Sequence, residues 1–151
     1  MSEMIIHTTV DINASAETAW AIFGEGFGEW ADWAPGIDAS ALEGPLTKGC
    51  VRVNQTPSLG TVRQKLTRFD RGQQALTYEM SETLPPMFTH MRNDWEIEPL
   101  DATRCRLVGK ALFVLSEKSA PMRNALEGKM GSVLEGFSVA FRDHVHHSEQ
   151  A

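Results

Sequence analysis

Histidines are the first residues of this 151-residue chain to consider for acid–base or metal chemistry. His90 lies in a segment with strand-like alternation, on the same face as Asp94, and we expect solvent to cover that face. A β-bulge that reversed the register would turn His90 inward and make it a catalytic candidate. His144, His146 and His147 lie near the end of a predicted helix with no carboxylate or cysteine evidently paired with them, so we expect no metal site.

Neither nucleophilic catalysis nor phosphate binding has a motif in this sequence. The serines lack a Gly-x-Ser-x-Gly setting, and Cys50 and Cys105 have no neighbouring motif that would activate them, so we expect two free thiols. The glycine-rich run at residues 24–28 follows a predicted helix rather than a strand and contains an acid, which is wrong for a dinucleotide. We interpret that run as a mobile gate segment and expect no cofactor.

Polar side chains that alternate with hydrophobic ones in the strand-like segments are better candidates. Residues two apart on a strand share a face, and the hydrophobic set should face the interior. Asn93 is then the inward polar residue between Met91 and Trp95, and Tyr78 points inward with Met80. By the same rule, the other inward residues are Val51, Val53, Gln55, Val62, Gln64, Leu66, Leu76, Ile97, Leu107, Gly109, Ala111 and Phe113. This interior suits a mostly hydrophobic ligand with one or two carbonyl or hydroxyl groups, because amides both donate and accept hydrogen bonds.

Three arginines lie on predicted strands. Arg52, Arg63 and Arg92 have the planar fork that binds a carboxylate through two hydrogen bonds, although strand arginines usually point to solvent. We retain Arg52 and Arg92 as candidate polar anchors for a ligand.

Composition limits the possible partners. The chain has 14 Lys+Arg against 20 Asp+Glu, a net charge of −6, which argues against nucleic acid or an anionic membrane surface. No apolar stretch is long enough for a signal peptide or a membrane span, so we expect a cytoplasmic protein without stable membrane insertion. The length predicts one domain over residues 1–151, and a monomer and a homodimer fit equally well.

Hydrophobic spacing predicts the elements that must position these residues. Residues 5–12 predict a strand, Ser15 is an N-cap for a first short helix, and residues 27–33 predict a second one. From residue 37 to about 115 the pattern has period two, and five turn-forming breaks divide it into six strands. Because such short turns join only antiparallel neighbours, the sheet should be a meander.

A long amphipathic helix is predicted after Ser119, with Pro121 in its first turn. Its apolar face comprises Met122, Leu126, Met130, Val133, Leu134, Phe137, Phe141 and Val145. The glycines at positions 128, 131 and 136 either leave room for a ligand or the sheet, or are tolerated on the surface. The inward methionines Met80, Met91, Met122 and Met130 are either a deformable ligand wall or gap-filling core. The order is β-α-α-β-β-β-β-β-β-α, an α+β fold in two layers.

Several short motifs carry a family resemblance that spans nearly the whole chain. They are Ala14-Ser15-Ala16-Glu17-Thr18-Ala19-Trp20, Trp33-Ala34-Pro35 with one residue missing, Gly49-Cys50-Val51-Arg52, Leu76-Thr77-Tyr78, Leu84-Pro85-Pro86 and Trp95-Glu96-Ile97-Glu98-Pro99-Leu100 followed by Thr103-Arg104. In their order and spacing they resemble the polyketide cyclase/dehydrase-like branch of the START/Bet v 1 (SRPBCC) superfamily. The resemblance implies a helix-grip fold, in which a seven-stranded antiparallel sheet wraps around the long C-terminal helix and leaves an apolar cavity.

Members of that superfamily include binding proteins, enzymes and chaperone partners, so the resemblance leaves the activity open. Our leading hypothesis is binding or carriage of a small hydrophobic molecule, lipid-like or polyketide-like. The expected ligand-binding residues are Gln55, Gln64, Tyr78, Met80, Met91, Asn93, Trp95, Phe113, Met130, Leu134 and Phe137. One alternative is a polyketide cyclase or dehydratase in which Tyr78 or His90 moves protons. Another is a module resembling Aha1-type chaperone activators, which would need a large exposed apolar patch.

Overall fold

The sheet contains seven antiparallel strands. In the computed structural model, which describes residues 2–149, they are β1 (Ser2–Ile12), β2 (Ala39–Glu43), β3 (Val51–Thr56), β4 (Gly60–Asp70), β5 (Ala75–Met80), β6 (Phe88–Asp101) and β7 (Arg104–Leu115). Their order in the sheet is β1-β7-β6-β5-β4-β3-β2. Consecutive strands from β2 to β7 are neighbours and β1 pairs with β7, which confirms the predicted meander.

The helices differ from the prediction in type and in one boundary. They are α1 (Ala16–Trp20), a π-helical turn (Ala21–Glu25), two 3-10 helices (Phe27–Asp32 and Glu117–Met122) and α2 (Arg123–Glu149). Ser15 caps α1 as expected, because its Oγ accepts a hydrogen bond from the Thr18 backbone N–H at 3.1 Å. Pro121 lies in the second 3-10 helix, and the α-helix begins only at Arg123.

An aromatic core joins the helices to the sheet. Phe23 of the π-helical turn contacts Trp95 of β6 with ring centroids 5.5 Å apart and Phe141 of α2 at 4.9 Å. The buried residues of α2 are Leu126, Leu134, Ser138, Phe141 and Val145, on the side that packs on the sheet. The seven-stranded sheet and this long helix form the predicted helix-grip fold.

Strand β3 turns the opposite face inward from the one we predicted. Arg52 and Asn54 are buried, while Gln55 is exposed and Val51 and Val53 are only partly buried. The register explains the error: Arg52 lies opposite Gln64 and Asn54 opposite Val62, so each pair shares a face. Because both β4 residues face inward, the two polar residues of β3 must do so as well.

Candidate ligand-binding cavity

A cavity lies between the inner face of the sheet and α2. Its volume is about 160 Å³. The lining residues are Trp30, Pro35, Ile37, Arg52, Gln64, Tyr78, Met80, Met91, Asn93, Trp95, Phe113, Met130, Val133, Leu134 and Phe137. Most are apolar or aromatic, with four polar side chains from β3, β4, β5 and β6 among them. This combination is typical of small-molecule sites.

Ten of the eleven residues expected to contact a ligand lie in this wall, as does the candidate anchor Arg52. The exception is Gln55, which is exposed and accepts a hydrogen bond from Thr61 Oγ1 at 2.9 Å. Sequence reasoning missed Trp30, Pro35, Ile37 and Val133. Strand alternation could not find them because they lie on the first 3-10 helix, the following loop and α2; only the apolar spacing of Trp30 and Val133 was a signal.

Arg52 is the most unusual residue of the wall, because its side chain is fully buried. Its guanidinium packs against the rings of Phe27 and Trp30, with Cζ 4.0 Å and 3.9 Å from their centroids. Nη1 donates to the Phe27 carbonyl at 3.1 Å, and Nε donates to Gln64 Oε1 at 2.9 Å, where Nη2 donates as well. These contacts fix the charged group at one end of the cavity.

Burial dominates the electrostatics of Arg52. It lowers the pKa of the guanidinium from 12.5 to about 10, while the neighbouring Tyr78 acts in the opposite direction. The group therefore carries its positive charge at neutral pH. No carboxylate in residues 2–149 lies within 4 Å of its nitrogens.

Gln64 connects Arg52 to the rest of the polar wall. Besides the arginine, Gln64 Oε1 accepts a hydrogen bond from Asn54 Nδ2 at 2.9 Å, and Gln64 Nε2 lies 3.3 Å from Met80 Sδ. Asn54 Oδ1 is buried and has no hydrogen-bond partner in residues 2–149. The amide of Gln64 is therefore oriented by its neighbours.

Tyr78 and Asn93 are opposite each other on β5 and β6 and both line the cavity. Burial raises the pKa of the Tyr78 phenol, so the hydroxyl remains protonated at neutral pH, and it accepts a hydrogen bond from Trp95 Nε1 at 3.4 Å. Asn93 is 5% exposed, and its amide forms no side-chain hydrogen bond with any other part of the chain that the structure describes. Its donors and acceptor are thus available to a ligand.

Trp95 reaches the cavity because of a glycine on the next strand. Trp95 lies opposite Gly109 of β7, and a Cβ at that glycine would lie 2.4 Å from the indole ring. Any larger residue would push the ring away from the sheet. Gly109 therefore positions this wall of the cavity.

His90 and Arg92 lie on the outer face of β6, so neither borders the cavity. His90 Nε2 is 3.0 Å from Glu79 Oε1, and Arg92 pairs with Asp94, its Nη2 lying 3.1 Å from Asp94 Oδ2. The strand does contain an irregularity between Phe88 and His90, but Phe88 is buried and His90 is only partly buried. Neither residue belongs to the cavity wall, so the roles of Arg92 as a ligand anchor and of His90 in proton transfer stay predictions that this cavity does not support.

The remaining polar candidates have structural contacts. His146 Nε2 accepts a hydrogen bond from the Asn13 backbone N–H at 2.9 Å, and residues 2–149 contain no cluster of three metal-ligating side chains. Cys50 and Cys105 are free and buried, and burial raises the pKa of the Cys105 thiol to about 11. None of the helices in that range is long and apolar enough to cross a membrane.

Two expectations about flexible or buried regions need correction, and the structure bears on one alternative left open for the α2 glycines. The run at residues 24–28 is packed rather than free: a Cβ at Gly24 would lie 2.4 Å from the Trp20 indole, and one at Gly28 would lie 2.7 Å from Leu42 Cγ. Met122 is 54% exposed and takes no part in the cavity wall. The α2 glycines do not allow a close approach of the sheet, because a Cβ at any of them would meet nothing within 4 Å.

Comparison with known sequences identifies a family. The family model described as "Polyketide cyclase / dehydrase and lipid transport" matches residues 4–142. No curated protein sequence is significantly similar to this chain.

Solved structures show the same fold at low sequence identity. The allergen Ara h 8.0201 is 15% identical with a TM-score of 0.77, over 97% of this chain and 99% of its own. Norcoclaurine synthase from Thalictrum flavum, in complex with dopamine and hydroxybenzaldehyde, is 16% identical with a TM-score of 0.74, over 97% and 88%. A solution NMR structure from Thermobifida fusca is 24% identical with a TM-score of 0.75, over 95% and 93%.

Proposed function

Because this chain belongs to the polyketide cyclase, dehydrase and lipid transport family, we propose that it binds a small hydrophobic molecule between the sheet and α2. The observation that carries the proposal is an apolar cavity with a few polar groups, of which Asn93 has no protein partner for its amide in residues 2–149. A polar group left free at an otherwise apolar wall is what a ligand with one or two polar atoms requires.

The volume of the cavity limits the ligand that enters without rearrangement. About 160 Å³ is close to the roughly 150 Å³ of an apolar cavity known to bind benzene. A single aromatic ring fits that space. Larger molecules require side chains of the cavity wall to move. The side chains of Met80, Met91 and Met130 can move at the lowest energetic cost, because unbranched side chains change rotamer readily. Norcoclaurine synthase, which has the same fold, was solved in complex with dopamine and hydroxybenzaldehyde. Each of those molecules contains one aromatic ring, which is consistent with the volume of the cavity between the sheet and α2.

Cyclisation or dehydration of a polyketide-like substrate is the alternative function. It would need a group that takes a proton from carbon. Within residues 2–149, the acid–base groups lining the cavity are Arg52 and Tyr78, and both retain their protons at neutral pH. This favours binding over catalysis. Incubation of the purified protein with poly-β-ketone analogues should then give no product above the background rate, and a clear excess of product would refute that preference.

A protein-docking role receives less support from the surface. The large hydrophobic side chains exposed within residues 2–149 are Ile5, Leu100, Met122 and Val133. They lie on four different elements, and Val133 is also part of the cavity wall. Isolated hydrophobic residues of this kind are ordinary on a protein surface.

A variant that fills the cavity tests the proposed function. Met130 is half-buried in the wall, so Met130→Trp should occupy the cavity without disturbing the deeper core. Met122→Trp is the matched control, because Met122 is exposed and precedes the same helix. Calorimetry with phenol and indole should show binding to the original protein and the control, and at least tenfold weaker binding to Met130→Trp. The proposal fails if neither probe binds, or if both variants bind equally well.

A further inference from the structure

The buried positive charge of Arg52 has no negative partner in the part of the chain that the structure describes. Its hydrogen-bond acceptors are the Gln64 amide oxygen and the Phe27 carbonyl, and the Tyr78 hydroxyl beside it is neutral. Removing a guanidinium from water is costly unless it is paired with a negative group. Aromatic rings and neutral oxygens compensate only part of that cost.

The guanidinium also has donors that meet no charged acceptor in residues 2–149. It has five N–H groups, and three of them donate to Gln64 Oε1 and the Phe27 carbonyl. The two that remain are on the two terminal nitrogens, one on each, and the Tyr78 hydroxyl is the neutral group that interacts with them. Two N–H groups are what a bidentate pair needs, because a carboxylate accepts two hydrogen bonds from arginine in that geometry.

The inner face of the sheet places this charge at one end of an otherwise apolar row. Arg52, Gln64, Met80, Met91 and Phe113 follow one another across β3 to β7, as the register of the strands requires. All five line the cavity. The polar groups lie at the β3 and β4 end and the methionines and phenylalanine at the other. An occupant that matches both ends has a charged head and a compact hydrophobic body.

We propose that the ligand of this cavity is a carboxylate with a hydrophobic body about the size of one aromatic ring, and that its carboxylate pairs with Arg52. This inference rests on the binding function proposed above and specifies the class of ligand. Asn93, which lines the same cavity with a free amide, is placed to hydrogen-bond a second polar atom of the molecule.

Three probes of nearly identical shape and different charge test the inference on the unaltered protein. Benzoate is negative, benzamide is neutral and benzamidinium is positive. Calorimetry at neutral pH and low salt should give affinities in that order, with benzoate binding about tenfold or more tightly than benzamide, because hydrogen bonds between charged partners are roughly twice as strong as neutral ones. A crystal structure of the benzoate complex should place the carboxylate within hydrogen-bond distance of the Arg52 terminal nitrogens.

The outcomes separate this inference from the proposed function. Equal binding of benzamide and benzoate, or a carboxylate located away from Arg52, would refute the anionic ligand and leave a general hydrophobic site intact. The same conclusion follows if phenol and indole bind and benzoate does not. Failure of all five probes would refute the proposed function, and the anionic ligand with it.

A variant adds a second measurement. Arg52→Lys keeps the charge and loses the planar fork, so the preference for benzoate should shrink without reversing. A cooperative unfolding transition must first show that this variant folds, because Arg52 also holds the Phe27 carbonyl. An undiminished preference in the folded variant would contradict pairing through two hydrogen bonds.

Discussion

Arg52 and Gln64 lie directly opposite each other on β3 and β4, and Gln64 Oε1 accepts hydrogen bonds from both Nε and Nη2 of the arginine. The pair is a buried cation held by a neutral amide. It makes the cavity wall amphipathic, and it provides the site at which a single isosteric substitution tests the role of the charge.

Gln64→Glu should abolish the preference for an anionic ligand. The new carboxylate would lie against the guanidinium and neutralise it, so a ligand carboxylate would meet no net positive charge. We expect the affinity for benzoate to fall at least tenfold and that for benzamide to change little, both measured by calorimetry. Gln55→Glu makes the same chemical change at an exposed position and should leave both affinities unaltered. Retained preference for benzoate in Gln64→Glu would argue against charge pairing.

Arg52→Met should lower the free energy of unfolding by up to about 2 kcal/mol, because the buried Phe27 carbonyl loses its donor and Gln64 loses two hydrogen bonds, while removal of the buried charge offsets part of that loss. Urea denaturation measures the change. Arg92→Met is the control, since Arg92 is half exposed and pairs with Asp94 on the outer face of the sheet, and it should change stability by no more than about 0.5 kcal/mol. If both variants lost the same free energy of unfolding, the buried contacts of Arg52 would contribute no more to stability than the exposed ion pair of Arg92.

Gly109→Ala should destabilise the protein by about 1–3 kcal/mol, because its Cβ would lie 2.4 Å from the Trp95 ring and the indole would have to move. Gly128→Ala should instead stabilise it by up to about 1 kcal/mol, since a Cβ there meets nothing within 4 Å in a helix interior. Thermal unfolding of both variants measures the difference. If the unfolding temperatures of both variants shifted in the same direction, the result would contradict the packing of Trp95 against β7.

Ionisation of the Tyr78 phenol can be followed by absorbance without a signal from other tyrosines, because Tyr78 is the one tyrosine of the sequence. Burial raises its pKa above the ordinary value of 10, so absorbance of the phenolate near 295 nm should appear at higher pH in the folded protein than in urea. The stabilisation linked to this proton is complete below pH 10 and is lost as pH rises through the pKa of the folded state. A titration midpoint at or below that of the unfolded chain would show that the phenol is not buried.

Strand alternation predicted the inward residues of β4 to β7 because each of those strands has most of its large hydrophobic side chains on one face. Leu66, Tyr78 and Phe113 were assigned in this way, and all are buried. The method failed for β3, where Val51 and Val53 lie on the outer side and Arg52 and Asn54 on the inner one. A polar side chain can be buried when its partners come from another strand, and those partners are fixed only by the register.

The sequence by itself determined the order of the elements, the antiparallel meander, the long C-terminal helix and ten residues of the cavity wall. Those features depend on local periodicity and on turn residues, which are readable along a single chain. The tertiary structure decided that Arg52 turns inward and is buried among Phe27, Trp30 and Gln64. This outcome depends on contacts between residues 12 to 25 positions apart and on the register of β3 against β4, and no local pattern encodes it.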